Sequence, residues 1–204
     1  SDLFISTFDI AADGTITEVD TLEHDTNLSQ YNSLVQVDAD TYALAYSGGG
    51  NDGFISTFDI AADGTITAVT TQSLGNNLEH DTVFAADNSL VQVDADTYAL
   101  AYRGDGFDGF ISTFTISNTG VVTAVRTQSL GNNLEHDTDR GSGNSMVQVD
   151  ADTYALAYTS DGNDGFIKTF TISTAATAED STQKKSSSDC YDCKPPVLQS
   201  SHIT

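Results

Sequence analysis

One pattern dominates this chain: the same stretch of sequence comes round four times. The segment DGFISTFDIAADGTITAV begins at Asp52, and recognisable versions begin at Asp2, Asp108 and Asp164. Phe4, Phe54, Phe110 and Phe166 mark the register, at intervals of 50, 56 and 56 residues. The first interval is shorter because it lacks the QSLGNN insert found at 72–77 and 128–133. Glu-His-Asp recurs at 23–25, 79–81 and 135–137, and VQVDADTYALAY at 35–46, 91–102 and 147–158. A repeat of this length is one supersecondary unit that cannot bury its apolar face alone, so neighbouring units must stack.

Within a unit the hydrophobic period is two. In the second copy, residues 89–93 form a short apolar strand, and Asp94-Ala-Asp96 a turn with side chains suited to capping it. The next strand alternates Tyr98, Leu100 and Tyr102 with Ala99 and Ala101, giving one bulky and one small face suited to close sheet stacking. A Gly-rich turn at 104–109 leads to Phe110, Phe114 and Ile116 on one face of a third strand. A turn at 118–120 precedes a fourth, at 121–125. No segment has a convincing helical period.

Four strands per 50–56-residue unit predict an all-β fold of antiparallel four-stranded repeats, β-propeller-like. A linear array of small β-sheets is the alternative. The expected layout is a β-repeat domain over 1–173, with a half unit at 1–21, units at about 22–70 and 71–126, and a partial unit at 127–173. The count does not close, because the first unit lacks two strands and the last lacks one. Unpaired sheet edges attract partners, so the predicted partner is another copy, pairing head to tail into a ring or filament. Residues 174–204 read as a Ser/Thr/Lys linker with a C-x-x-C tail, in which Cys190 and Cys193 are a disulfide candidate or half of a zinc site.

Charge removes several functions. The chain carries 30 acidic and 7 basic residues, a formal charge of −23. Nothing here could neutralise nucleic-acid phosphates or seat the chain on an anionic membrane surface. No run of about 18 apolar residues is present for membrane insertion. An acidic excess suits either solubility in a salty extracellular medium or Ca2+ binding through carboxylate loops. No leader sequence is visible before Ser1, so a mature, processed or excerpted chain is expected.

The succession LEHDT, NSLVQVDADTYALAY, DGFISTFDI and DGTIT, which spans residues 2 to about 173, resembles tandem repeats of large, uncharacterised microbial surface proteins. That resemblance implies an extracellular or cell-surface location and assigns no activity. More distantly the plan is similar to WD40 and kelch propellers, although the chain has no Trp and so no WD signature.

Candidate sites follow the repeat. Glu23-His24-Asp25, Glu79-His80-Asp81 and Glu135-His136-Asp137 could bind a transition metal or act as acid-base pairs. The similarity to WD40 blades implies instead a loop histidine that pins each unit. Asp52, Asp105, Asp108, Asp161 and Asp164 lie on Gly-bearing turns that could hold Ca2+, but their spacing departs from the calcium-loop pattern and also suits plain turns. The pairs Asp38/Asp40, Asp94/Asp96, Asp150/Asp152, Asp9/Asp13 and Asp59/Asp63 repeat almost unchanged, whereas catalysis needs two unlike carboxylates. The regular tyrosines, from Tyr42 to Tyr158, suit sheet packing better than sugar stacking. Arg103 and Phe107, with Phe84, break the pattern in loops and are the places for a glycan or other surface ligand. Asn27-Leu28-Ser29 matches an N-glycosylation acceptor. The function expected is an extracellular structural or adhesive repeat protein that is not an enzyme; the alternative is a multivalent lectin-like or calcium-dependent binding module.

Overall fold

Fifteen strands, with no helix longer than one 3-10 turn, make up residues 2–27 and 29–173, the part described by the computed structural model. They form four antiparallel sheets, none of them closed into a barrel. The first sheet is a hairpin of β1 (Leu3–Ile10) and β2 (Ile16–Asp25). The second runs β3 (Gln30–Gln36), β4 (Thr41–Ser47) and β5 (Gly53–Ile60), with β6 (Ile66–Thr70) and β7 (Leu78–Asp81) sharing the far edge of β5. The third repeats this plan with β8 (Ala86–Gln92), β9 (Thr97–Arg103), β10 (Gly109–Ile116), β11 (Val122–Arg126) and β12 (Leu134–Asp137). The fourth has three strands, β13 (Ser142–Gln148), β14 (Thr153–Thr159) and β15 (Gly165–Thr171). The structure is thus all-β and built from several small sheets in series.

The turn chemistry read from sequence is present. Asp38 Oδ1 accepts from the backbone N–H of Asp40 and Thr41 at 3.2 and 2.9 Å, and Asp94 and Asp150 cap their turns the same way. Asp13 and Asp63 accept from the N–H of Thr15 and Thr65. In the third copy Thr119 stands where the second has Asp63, and the Ser117 hydroxyl caps the turn instead, accepting from Thr119 and Val121 N–H.

The sheets divide the chain differently from the expected unit boundaries. Each Glu-His-Asp belongs to the last strand of the sheet before it, not to a loop opening the next unit. Gly53 pairs with Asp81 and Ile55 with Leu78 on one stretch of β5, while residues 57–60 pair with β6. Strands β6 and β7 are therefore one fourth strand interrupted by the 72–77 insert. The first copy lacks the insert, and its fourth strand, β2, is continuous. Sheet boundaries consequently fall near 26–29, 82–85 and 138–141 instead of 21, 70 and 126.

Bulky faces pack on small ones. Ala43, Ala45 and Ile55 of the second sheet meet Leu90, Tyr98, Leu100, Tyr102 and Phe114 of the third. Val93, Ala99, Ala101 and Ile111 of the third meet Met146, Tyr154, Leu156 and Tyr158 of the fourth. Leu3 and Ile5 of the first meet Leu44, Tyr46, Phe58 and Ile66 of the second. Alanine lets the sheets approach, and the alternating large residues fill the gap at interior packing density. Polar clasps tie each sheet to the next, and the second and third sheets are clasped at both edges. Leu90 N–H and Met146 N–H donate to Ser33 Oγ and Ser89 Oγ, each at 2.9 Å. Toward the other edge, Thr7 and Thr57 hydroxyls donate to the carbonyls of Gly64 and Gly120 in the next sheet, at 2.6 and 2.7 Å.

Candidate functional site: the Glu-His-Asp joints

The three histidines sit at β-bulges. Pairing steps from Leu3–Asp25 to Phe4–Glu23, from Gly53–Asp81 to Phe54–Glu79, and from Gly109–Asp137 to Phe110–Glu135, leaving His24, His80 and His136 as the extra residues. A bulge re-aims a side chain, and here it turns the imidazole onto the next sheet. His24 meets Tyr46 and Phe58 edge-on, with ring centroids 5.3 and 5.0 Å away. His80 meets Tyr102 and Phe114 at 4.9 and 5.8 Å, and His136 meets Tyr158 and Phe170 at 4.8 and 6.2 Å. Gly53 and Gly109 lie beneath the His80 and His136 rings, where a Cβ would collide with the imidazole. The sequence therefore needs glycine at both positions.

His24 and His80 are 0% exposed and His136 is 6% exposed. None of their ring nitrogens has a hydrogen-bond partner. Burial accordingly pushes His24 down to about 4, although the neighbouring Asp25 charge opposes it. His80 is held near 3 by burial, and His136 near 4 by burial and the Lys168 charge, with Asp137 opposing. All three are neutral imidazoles at neutral pH.

The glutamates and aspartates part company. Glu23, Glu79 and Glu135 are exposed. Exposed as it is, Glu79 is still partly shielded from water at its carboxyl, which with Asp52 and Asp81 nearby raises it above its usual range. The aspartates turn inward and cap the chain as it leaves the sheet: Asp25 Oδ1 accepts from Asn27 N–H, Asp81 Oδ1 from Val83 and Phe84, and Asp137 Oδ1 from Asp139 and Arg140. Burial raises Asp81, whose second oxygen faces Gly104 of the next sheet. Asp137 meets Ser160 at that place, and its Oδ2 accepts from the Ser160 hydroxyl at 3.0 Å. Burial opposes ionisation of Asp137 too, but the N–H groups of Arg140 and Asp139 with the Tyr158 and Ser160 hydroxyls bring it down to about 2.

The joint is closed by groups that sequence reasoning did not single out. Ser73 donates from both N–H and Oγ to the His24 carbonyl, at 3.1 and 2.9 Å. Ser129 N–H does the same for His80, and Lys168 Nζ, at 2.5 Å, for His136. Within its own sheet, Asn77 Nδ2 also reaches the Tyr46 hydroxyl, at 3.3 Å. Through Ser73 and Ser129 the insert thus reaches back to the preceding sheet. Its presence beside every interrupted fourth strand, and absence beside the continuous one, is the sequence signal for this role.

Arg103 and Phe107 are brought together, but as a brace. The Arg103 guanidinium lies between the rings of Phe84 and Phe107, 5.3 and 5.4 Å from their centroids. Its Nε stands 3.3 Å from Asp87 Oδ2, paired in charge without hydrogen-bond alignment. Arg140 supplies the matching brace in the next unit, bonding Ser142 and Asn163. Asn51, Phe107 and Asn163 share a left-handed backbone, with φ of 72, 76 and 64°. At the first two, this conformation aims the carbonyl at the next unit: Asn51 O accepts from Ala85 N–H and Phe107 O from Gly141 N–H, both at 2.8 Å.

The aspartates considered for Ca2+ serve 3-10 turns. Asp108 N–H donates to Asp105 O and Asp164 N–H to Asp161 O, while Asp52 follows the equivalent turn at 49–51. Among the described residues, no three His, Cys, Asp or Glu side chains are grouped to hold a metal ion. No described helix is long and apolar enough to cross a membrane. Cys190 and Cys193 lie outside the described residues. Each histidine joint therefore presents a buried imidazole with both ring nitrogens free of hydrogen bonds. No protein-family model matches the chain, and no curated protein matches its sequence.

Proposed function

We propose that this chain is an extracellular structural or adhesive repeat protein, built from propeller-type units, that associates with further copies of itself head to tail. In this reading it is a scaffold and not an enzyme. The observation that carries it is the contrast between covered and uncovered copies of the same faces. Val147, Val149 and Ile167 on the outer face of the fourth sheet are 59, 61 and 77% exposed, while their counterparts Val91, Val93 and Ile111 pack under the fourth sheet, the last two buried and Val91 partly so. At the other end Phe8, Ile10 and Ile16 are exposed, and their counterparts Phe58, Ile60 and Ile66 are packed. Apolar faces of this kind mark interaction surfaces. The −23 charge supports a salty extracellular setting, where screening lets acidic copies meet.

Mass photometry and negative-stain microscopy at rising ionic strength test the reading. Rings or filaments are expected for the native chain, and their loss in Ala157→Arg and Phe8→Asp. A monodisperse monomer throughout, at micromolar concentration and in high salt, refutes self-association.

A further inference from the structure

Three imidazoles buried at three successive sheet-to-sheet joints, with no acceptor for either ring nitrogen, form a device that the scaffold reading does not call for. We propose that the joints are acid-released latches: each neutral histidine closes its joint, and proton uptake separates the neighbouring sheets.

The groups facing each ring decide this. His24 faces Tyr46 and Phe58 of the next sheet, with Asp25 beside it on its own strand. His80 faces Tyr102 and Phe114, with Asp81 beside it. His136 faces Tyr158, Phe170 and the Lys168 ammonium, with Asp137 beside it. Each adjacent aspartate is oriented by its own turn, accepting backbone N–H bonds, and none accepts from an imidazole. An imidazolium has two N–H donors and a charge to solvate. The edge-on aromatic rings offer a cation–π contact, which is weaker than the hydration and hydrogen bonds lost. At His136, Lys168 adds repulsion. The proton is therefore accommodated by opening the joint to water.

Free imidazoles take up protons near pH 6.5, whereas the closed joints resist until about pH 3 to 4. The open state binds more protons in between, so the closed state is fully stable above about pH 7 and loses stability as pH falls toward 4. Each latch raises the opening constant by up to about tenfold per pH unit in that window, and three acting together by up to about a thousandfold.

The test uses the full chain with His202, outside the described residues, replaced by Gln. Urea midpoints are measured from pH 7.5 to 4.5 by near-ultraviolet dichroism, which reports Tyr46, Tyr102 and Tyr158 at the joints. In His80→Leu, which keeps the volume and cannot titrate, the pH dependence is expected to fall by about tenfold in the unfolding constant per pH unit. An unchanged pH dependence in that variant overturns the proposal. NMR titration of the imidazole C–H signals in the unsubstituted joints needs no variant. Signals that stay neutral until the joints open support the latch, and a smooth folded-state titration near pH 6.5 refutes it.

Discussion

The interlocking of small and bulky faces makes a sharp prediction at two copies of one residue. Ala101 is 0% exposed, on the face of the third sheet that receives Met146, Tyr154, Leu156 and Tyr158. Ala157 occupies the same place in the fourth sheet and is exposed. Replacing Ala101 with Leu forces three extra carbon atoms between two sheets already in contact, which costs about 1–3 kcal/mol. The same substitution at Ala157 meets no neighbouring sheet, and its cost is expected within about 0.5 kcal/mol. Urea unfolding at pH 7.5, followed by tyrosine fluorescence at a dilution where the chain is monomeric, compares the two directly. The expected midpoint drops for Ala101→Leu and hardly moves for Ala157→Leu, with similar slopes. Equal effects at the two positions, or none at Ala101, would refute face-to-face packing as the source of cohesion.

Other positions test other parts of the argument. Gly109→Ala sets a Cβ against the His136 ring and is expected to cost more than about 2 kcal/mol, while Gly165→Ala, with open space around it, is expected to be neutral or slightly stabilising in thermal melts. Excising residues 72–77 is expected to leave a continuous fourth strand like β2, at a cost of about 1–3 kcal/mol for the lost Ser73 and Asn77 bonds. Unfolding of the whole second sheet by circular dichroism would disprove the insert as a mere interruption. Phe107→Asn relieves a left-handed phenylalanine but gives up one ring of the Arg103 sandwich, so a net gain of about 0.5 kcal/mol is expected in chemical denaturation. A loss would mean that the brace outweighs the strain.

Much of the fold was legible because its signals are local. The alternation of Tyr98, Leu100 and Tyr102 with Ala99 and Ala101 reports a two-faced strand from its own period, and the Asp-x-Asp turns report their own caps. The joints were less legible because they depend on pairings distant in sequence. The insert at 72–77 hides that Leu78–Asp81 continues the strand begun at Ile66–Thr70, so Glu-His-Asp was expected in a loop. The uninterrupted first copy, Ile16–Asp25, held the clue: the tripeptide there ends a ten-residue strand. The contacts of Arg103 were hidden for a related reason. Its three partners, Phe84, Asp87 and Phe107, converge only once β8 and β9 are paired.

The unlike faces of each sheet give the stack a direction. A small face accepts a bulky one, and the Ser33 and Ser89 clasps run the same way along the series. Each joint is specified entirely by the two units that flank it. A 56-residue duplication within the coding sequence would therefore insert a unit whose two faces already match its neighbours, with no compensating change elsewhere. Length becomes a quantity that such a gene can adjust without redesigning the protein, like adding a link to a chain whose hooks and eyes all face the same way.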